Sequence, residues 1–257
     1  MDLDSTYFSK TLRLNSHDRD FNNTSETNSK FSIEVPPYSQ EFSQVVGFQL
    51  ISATVPNVFY NIDNKSKFEY IVGGTSYTTT IPEGQYTAST FLTAVEVAVN
   101  ADVGGGFSAT LDTLTYKVTL TFSGNVSIRA STDNTIFRKL GFGFDDVLYS
   151  GTNVLISPSV ISLQGPDICF IRSPDLSSGS SDFDRPGDKD TICSVILDKP
   201  FGSACSYESS DSSSTLQRYR NARGITSINI DIVDRFGKEL DIGKMDLNII
   251  GKIYFIL

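Results

Sequence analysis

The chain has one histidine, and it is the first candidate for catalysis. His17 lies between Ser16 and Asp18, so the three residue types of a serine hydrolase triad follow one another. Adjacent side chains point in different directions, and triads assemble from positions that are distant in the chain. The sequence therefore favours a surface role for His17. One histidine also offers no histidine-rich metal site.

A run of aspartates partly resembles a calcium-binding loop. Asp182, Asp184, Asp188 and Asp190 occupy ligand positions one, three, seven and nine, and a glycine occupies position six. Position five is a proline, however, and Cys193 stands at position twelve, where a bidentate glutamate is expected. The run is a calcium candidate, with an acidic, solvated turn as the alternative. No other cofactor is indicated.

Three arginines form the one basic cluster of an acidic chain: Arg218, Arg220 and Arg223. The cluster indicates either an exposed strand entry or a surface that meets an acidic neighbour. The 257 residues include 21 basic and 30 acidic ones, which gives a net charge of −9. Because this charge repels phosphates, a protein neighbour such as a second copy is favoured over nucleic acid.

Other patterns of catalysis find little support. The chain has neither a phosphate-binding loop nor a dinucleotide fingerprint. Thirty acidic residues would allow a carboxylate pair for glycoside hydrolysis, but the chain has no tryptophan to stack on a sugar. We therefore do not expect an enzyme.

The three cysteines are too far apart for a redox pair or a zinc site: Cys169, Cys193 and Cys205. They are expected to be reduced thiols in or near a β core, in a protein made in a reducing compartment. The sequence shows no signal peptide and no apolar run long enough to span a membrane.

Alternation of apolar and polar residues predicts the main architecture. Residues 31–35 alternate in this way and then meet two prolines, which predicts a strand with a firm end. Similar short strands recur along residues 30–65 and 145–257, including residues 154–156 and 160–163, without βαβ alternation. About eight such strands predict an antiparallel β-sandwich.

The middle of the chain has a different pattern. Two strands flank Gly73-Gly74, which is a strong hairpin signal. Residues 88–100 repeat apolar side chains every three or four positions, and this predicts an amphipathic helix capped by Thr87 or Ser89. Residues 66–144 are therefore predicted to form a small α+β domain inserted into the sandwich.

Polar segments precede and interrupt the sandwich. Residues 1–29 predict an N-terminal arm with no helical or strand period, and residues 173–190 and 206–215 predict exposed loops. Because the arm gains little by folding alone, it is expected to order on a neighbouring subunit. Deleting residues 2–28 is expected to leave a folded monomer that cannot assemble.

Five stretches resemble penton-type minor capsid proteins of virophages, polinton-like viruses and nucleocytoplasmic large DNA viruses. The most specific is P-N-x-x-Y-N-I at residues 56–62, with its spacing to I-P-x-G-x-Y at residues 81–86. The two polar loops match no motif of that family. The five stretches are residues 12–20, 31–36, 46–62, 81–87 and 228–241.

The resemblance implies a jelly-roll fold with an inserted outer domain, and a structural role. Five copies would form a homopentamer that closes an icosahedral vertex. The implied partners are a trimeric major capsid protein and, beyond it, other minor capsid proteins or a vertex fibre. The implied location is the virion, at the capsid vertex, after synthesis in the host cytoplasm or a virus factory. No catalytic residue comes with the family.

The arm and the basic cluster supply the candidate residues of the assembly interface, since a ring needs two different patches on each copy. These candidates are Arg13, His17, Asp18, Arg19, Arg218, Arg220 and Arg223.

Three other functions stay open at this point. These alternatives are another minor capsid protein, a carbohydrate-binding β-sandwich for host attachment, and a jelly-roll hydrolase. Calcium-dependent binding to a glycan array would indicate the second. Loss of turnover on replacing single carboxylates would indicate the third.

Overall fold

The chain folds into two compact units. A computed structural model describes residues 7–19, 23, 25–36, 39–129, 134–143, 147–178, 190–209 and 216–256. One unit consists of Met1–Phe59 and Pro166–Leu257, and the other of Tyr60–Gly165. The second unit interrupts the chain of the first, which resumes at Pro166.

The described residues form sixteen strands and two α-helices. The strands are β1 (Phe8–Asn15), β2 (Lys30–Glu34), β3 (Val45–Pro56), β4 (Lys67–Val72), β5 (Thr75–Thr80), β6 (Ser108–Leu111), β7 (Val118–Thr121), β8 (Val126–Arg129), β9 (Leu148–Gly151), β10 (Val154–Ile156), β11 (Ile168–Arg172), β12 (Thr191–Ile196), β13 (Ala204–Glu208), β14 (Leu216–Arg223), β15 (Ser227–Val233) and β16 (Asn248–Phe255). The helices are α1 (Ala88–Val103) and α2 (Thr135–Lys139).

The first unit is a sandwich of two antiparallel sheets. The first sheet has the order β1-β16-β3-β13, and β14 continues along β3 beyond β13. The second sheet has the order β2-β15-β11-β12. When β13 and β14 are taken as one interrupted strand, the sheets join strands 1-8-3-6 and 2-7-4-5 of this unit. This is the strand order of a jelly roll, so the predicted fold class is confirmed.

Side chains from the inner faces of both sheets fill the core of the first unit. Phe48 and Leu50 of β3 and Ile253 of β16 are fully buried there. Gly251 lies beside the ring of Phe48, at a shift in the pairing between β16 and β3. A Cβ atom on Gly251 would be 2.4 Å from Cε2 of Phe48, so only glycine fits this position without movement.

The prediction that residues 1–29 form an arm without strand structure is wrong for Phe8–Asn15, which form β1. Strand β1 pairs with β16 over eight residues and forms an edge of the first sheet. Leu14 is 3% exposed and packs in the core. At the other end of the predicted arm, the Ser29 hydroxyl accepts the N–H of Ile242 at 2.8 Å, so Ser29 is also part of the fold. Lys10 stands where the alternation of Phe8, Leu12 and Leu14 would place an apolar residue, and this interrupts the strand period in the sequence.

The second unit combines two sheets with the helices. The sheets have the orders β5-β4-β8-β9 and β10-β7-β6, and α1 packs against β5 and β6. The oxygen of the Thr87 side chain accepts the N–H of Thr90 at 3.3 Å, so the predicted helix cap is confirmed. Helix α1 buries its apolar stripe in the core: Phe91, Leu92, Val95 and Val99.

The inserted unit is longer at both ends than the predicted 66–144. Ile62 is fully buried in the second core, and Leu155 of β10 packs there because β10 pairs with β7. The predicted outer segments 30–65 and 145–257 shorten accordingly. Residues 160–163 form no strand, because the N–H groups of Ile161 and Ser162 donate to two separate segments, at Tyr116 (2.9 Å) and Lys139 (2.8 Å). Strand β10 pairs with β7 and belongs to the inserted unit.

The second predicted loop, residues 206–215, begins inside a strand. Strand β13 extends to Glu208, and its Cys205 is fully buried beside β3. Tyr207 packs against the same core. Cys205, Ser206 and Tyr207 do alternate, but three residues are too short a run to predict a strand from the sequence.

Candidate assembly interface

The turn after β1 holds the serine, histidine and aspartate that resembled a triad. Ser16 is fully buried, and its hydroxyl oxygen accepts the N–H of Leu247 at 2.9 Å. Its own N–H donates to the carbonyl of Leu247 at 3.0 Å. The side chain of Asn15 accepts the N–H of His17 at 2.7 Å. Ser16 therefore anchors the turn to Leu247, the residue directly before β16, while His17 and Asp18 are exposed.

The two arginines of this region have different roles. Arg13 is exposed and lies between Leu12 and Leu14, which both pack on the core, so Arg13 faces outward from the first sheet. Arg19 is half-buried, and its Nη1 donates to the carbonyl of Ser16 at 2.9 Å. Arg13 is thus available on a surface, whereas Arg19 stabilises the turn.

The basic cluster lies on β14, at an edge of the first sheet. Arg218 pairs with Gly47 of β3, and the register shifts before Arg223 reaches Val45. The segment between them therefore bulges away from β3 and carries Arg220 with it. Arg218 and Arg220 are exposed, so this edge presents positive charge. Charged, bulged edges resist uncontrolled strand pairing and leave recognition to side chains.

Arg223 is not part of that exposed surface. Its guanidinium lies 3.7 Å from the centre of the Tyr219 ring and donates to the carbonyls of Asp175 and, at 2.9 Å, Ser177. The Tyr219 hydroxyl donates to the carbonyl of Leu176 at 3.0 Å, and burial raises the pKa of this tyrosine. Arg223 therefore fastens the segment after β11 to β14, a structural role that sequence distance conceals.

A groove of about 540 Å³ opens on the second sheet. An ion pair crosses it, in which Nε of Arg172 donates to Asp231 at 3.0 Å and the carboxylate raises the pKa of Arg172. Glu26 also lines the groove. Its Oε1 accepts from Asn23 at 3.1 Å, whereas its buried Oε2 has no hydrogen-bond partner among the described residues. The groove is also lined by Lys30, Phe31, Pro174, Asp190 and Ile230.

The calcium candidate stays a prediction. Asp182, Asp184 and Asp188 lie outside the described residues, and Asp190 alone can be placed. Its carboxylate accepts from the Ser177 hydroxyl at 3.2 Å, at the side of the groove. Among the residues that the structure describes, no three metal-binding side chains are grouped.

The three cysteines are buried and unpaired with one another, as predicted. Burial raises the pKa of Cys169 to about 12, and the nearby Cys205 thiol acts in the same direction. Burial also raises the pKa of Cys193. These thiols are packing residues of the jelly-roll core.

Sequence reasoning missed an aromatic side chain at the surface. Phe236 is 75% exposed at the turn after β15, although apolar periodicity alone would assign a phenylalanine to the core. The inserted unit likewise exposes Leu114 at 85% and Ile156 at 62%. The only available signal for Phe236 was its place inside an Asp-Arg-Phe-Gly-Lys turn.

None of the described helices is both long enough and apolar enough to cross a bilayer. No protein-family model and no curated protein matches the chain.

Two solved structures are similar to the chain over almost their whole length. One is the crystal structure of the mavirus penton protein, with 10% identity, a TM-score of 0.47, and coverage of 98% of this chain and 100% of that chain. The other is a chain of the Sputnik virophage structure from cryo-electron microscopy, with 9% identity, a TM-score of 0.45, and coverage of 96% and 98%.

Proposed function

We propose that this protein is a structural capsid subunit, five copies of which close the vertex of an icosahedral double-stranded DNA virus. The observation that carries the proposal is the jelly-roll strand order with a separate α+β unit inserted between its third and fourth strands. Jelly rolls of this kind build viral capsids, and their two packed sheets leave loops and strand edges free for contacts between subunits.

The places of the family-like stretches support this proposal. Residues 12–20 cover the end of β1 and its turn, and residues 31–36 cover most of β2. Residues 46–62 begin in β3, and residues 228–241 cover most of β15 and the turn after it. Four of the five stretches therefore lie in or begin in strands of the jelly roll, and the fifth, residues 81–87, lies in the inserted unit.

A closed five-fold ring requires a heterologous interface, in which each copy uses two different patches. The first sheet has two unlike edges, β1 with the exposed Arg13 and β14 with the exposed Arg218 and Arg220. A permanent interface of this kind is expected to bury at least about 2,000 Å². We assign Arg13, His17, Asp18, Arg218 and Arg220 to surfaces between capsid subunits, and Arg19 and Arg223 to positions that support those surfaces.

The inserted unit is proposed to face the outside of the particle. Leu114 and Ile156, together with Tyr116 at 58% exposure, give it apolar surface that suits contact with another capsid component or with a host. Neighbouring trimers of a major capsid protein are the proposed partners of the ring. A particle structure with the inserted unit on the inner side of the shell would contradict this placement.

Electron microscopy of the concentrated protein tests the proposed ring directly. Class averages are expected to show rings with five-fold symmetry. Rings of another symmetry, or monomers at every concentration, would argue against a vertex role and for one of the other functions of a β-sandwich.

A further inference from the structure

The larger sheet of the inserted unit, with the order β5-β4-β8-β9, ends in two strands without charge. Neither β5 nor β9 contains an acidic or a basic residue. The edges β1 and β14 of the jelly roll, in contrast, carry exposed arginines. Charged side chains protect many strand edges against pairing, and β5 and β9 lack this protection.

Strand β5 presents backbone groups along its free edge. Val72 faces Thr75 across a two-glycine turn, and along the hairpin the hydrogen-bonded pairs alternate with pairs that are not hydrogen-bonded. The N–H and carbonyl groups of Ser76, Thr78 and Thr80 therefore point away from β4. All three residues are exposed, and no strand pairs with this edge among the residues that the structure describes.

Strand β9 presents the same kind of groups on the opposite edge. The N–H of Gly73 donates to the carbonyl of Asn125 at 2.9 Å, so Ser127, two residues further along, bonds to β4 rather than to β9. The alternation then leaves the backbone groups of Leu148 and Ser150 pointing away from β8. Both residues are exposed, Leu148 at 55%.

The two edges match in direction and in face. Each of the four strands runs antiparallel to its neighbour, so β9 runs antiparallel to β5. The three-stranded sheet β10-β7-β6 has parallel edges and offers no such match. Ile71 pairs with Ser76 and Ser127, and Ser127 pairs with Ser150, so both edges offer backbone groups of residues whose side chains lie on one face. An antiparallel sheet can therefore continue from one copy to the next with the same face exposed throughout.

We infer that β5 of one copy pairs with β9 of the next copy, with Ser76 opposite Ser150 and Thr78 opposite Leu148. Each of these pairs exchanges two N–H···O bonds. The inference rests on the proposed pentamer and identifies one of its contacts. Edges of unlike sequence give each copy two different patches, as a closed ring requires, whereas pairing of two β5 edges is two-fold and cannot close five copies.

Native mass spectrometry over a concentration series tests the β5 edge with Thr78→Pro. Proline has no N–H, and the fold does not use the N–H of Thr78, so thermal unfolding is expected to stay unchanged. The dissociation constant of the pentamer is expected to rise at least about 10-fold. Thr113→Pro is the matched control, because Thr113 is exposed in the turn between β6 and β7 and lies on neither edge.

Two charge variants test whether β5 meets β9. Thr78→Lys combined with Leu148→Lys places like charges across every contact, whereas Thr78→Lys combined with Leu148→Glu places opposite charges there. The like-charge variant is expected to have a dissociation constant at least about 10-fold above that of the opposite-charge variant. Ser76→Lys with Ser150→Lys or Ser150→Glu repeats the comparison at the neighbouring pair, so that one poorly folded variant does not decide the result.

Each outcome decides the inference. Weaker assembly of Thr78→Pro and of the like-charge variants, with the opposite-charge variants and Thr113→Pro still pentameric, supports it. Equal assembly of the like-charge and opposite-charge variants, or full assembly of Thr78→Pro, overturns this contact and leaves the pentamer itself standing. A wild-type chain that forms only monomers or dimers overturns the contact together with the proposed function.

Discussion

Gly251 in the jelly roll has no room for a side chain. A methyl group on Gly251 would meet Phe48 Cε2 at 2.4 Å and the backbone oxygen of Gln49 at 2.8 Å. Phe48 is fully buried, so the ring cannot turn toward solvent. Overpacking of this kind costs about 1–3 kcal/mol.

Gly251→Ala is therefore expected to lower the free energy of unfolding by about 2 kcal/mol, measured by urea denaturation. Gly224→Ala is the control in the same unit, because its added Cβ would have only ordinary contact, at 3.6 Å from the carbonyl of Ser43. Equal stability of the two variants would contradict the packing described for β16 and β3.

The buried thiols allow a second test at this scale. In the native protein, Cys169, Cys193 and Cys205 are expected to resist a thiol reagent such as DTNB, and all three are expected to react after unfolding. Burial raises the pKa of Cys169 to about 12, so its thiol stays almost wholly protonated up to pH 9, and the native protein is expected to react far more slowly than the unfolded chain at both pH 7 and pH 9. A native thiol that reacts as fast as the same thiol in the unfolded chain would show that this core is open.

At the scale of elements, β1 is decisive because it closes one edge of the first sheet. Its pairing with β16 covers eight residues and brings Leu14 into the core. The expectation that a chain without residues 2–28 still folds as a monomer is therefore corrected. Without β1, the backbone of β16 would be an open edge, and the N–H of Leu247 would lose its bond to Ser16.

Deletion of residues 2–28 is now expected to abolish cooperative thermal unfolding of the jelly roll or to yield insoluble protein. Deletion of residues 2–6 leaves β1 intact and is expected to change the melting temperature by no more than about 2 °C. A truncated protein lacking residues 2–28 that melts like the full chain would contradict the role given to β1.

The same scale shows what a single sequence can predict. The helix beginning at Ala88 and the hairpin at Gly73-Gly74 follow from local periodicity and turn chemistry, which need no knowledge of distant residues. Strand β1 is obscured because Lys10 interrupts its apolar alternation, and β13 because its alternation spans only three residues. The pairing partners of both strands lie far along the chain.

The sequence predicts the exposure of some candidate interface residues and not of others. Charge and alternation place Arg13, Arg218 and Arg220 at the surface, as found. Arg223 could not be separated from them, because its partner Asp175 is 48 residues away. The exposure of Phe236 depends on the turn that Asp234 builds, which composition does not reveal.

At the scale of the whole molecule, the proposed vertex role depends on a jelly roll, an inserted α+β unit and two unlike sheet edges in one subunit. A net charge of −9 disfavours a general nucleic-acid surface and leaves local cationic patches to meet acidic protein surfaces. The proposed function therefore depends on contacts between copies rather than on the chemistry of one side chain.

The native mass of the purified full-length chain at high concentration tests this central claim most directly. The account predicts a species of five copies of 28.2 kDa, about 141 kDa, that dissociates on dilution without stable trimers. A chain that stays at 28.2 kDa throughout the concentration series, or that assembles into a closed oligomer of another number, would contradict it.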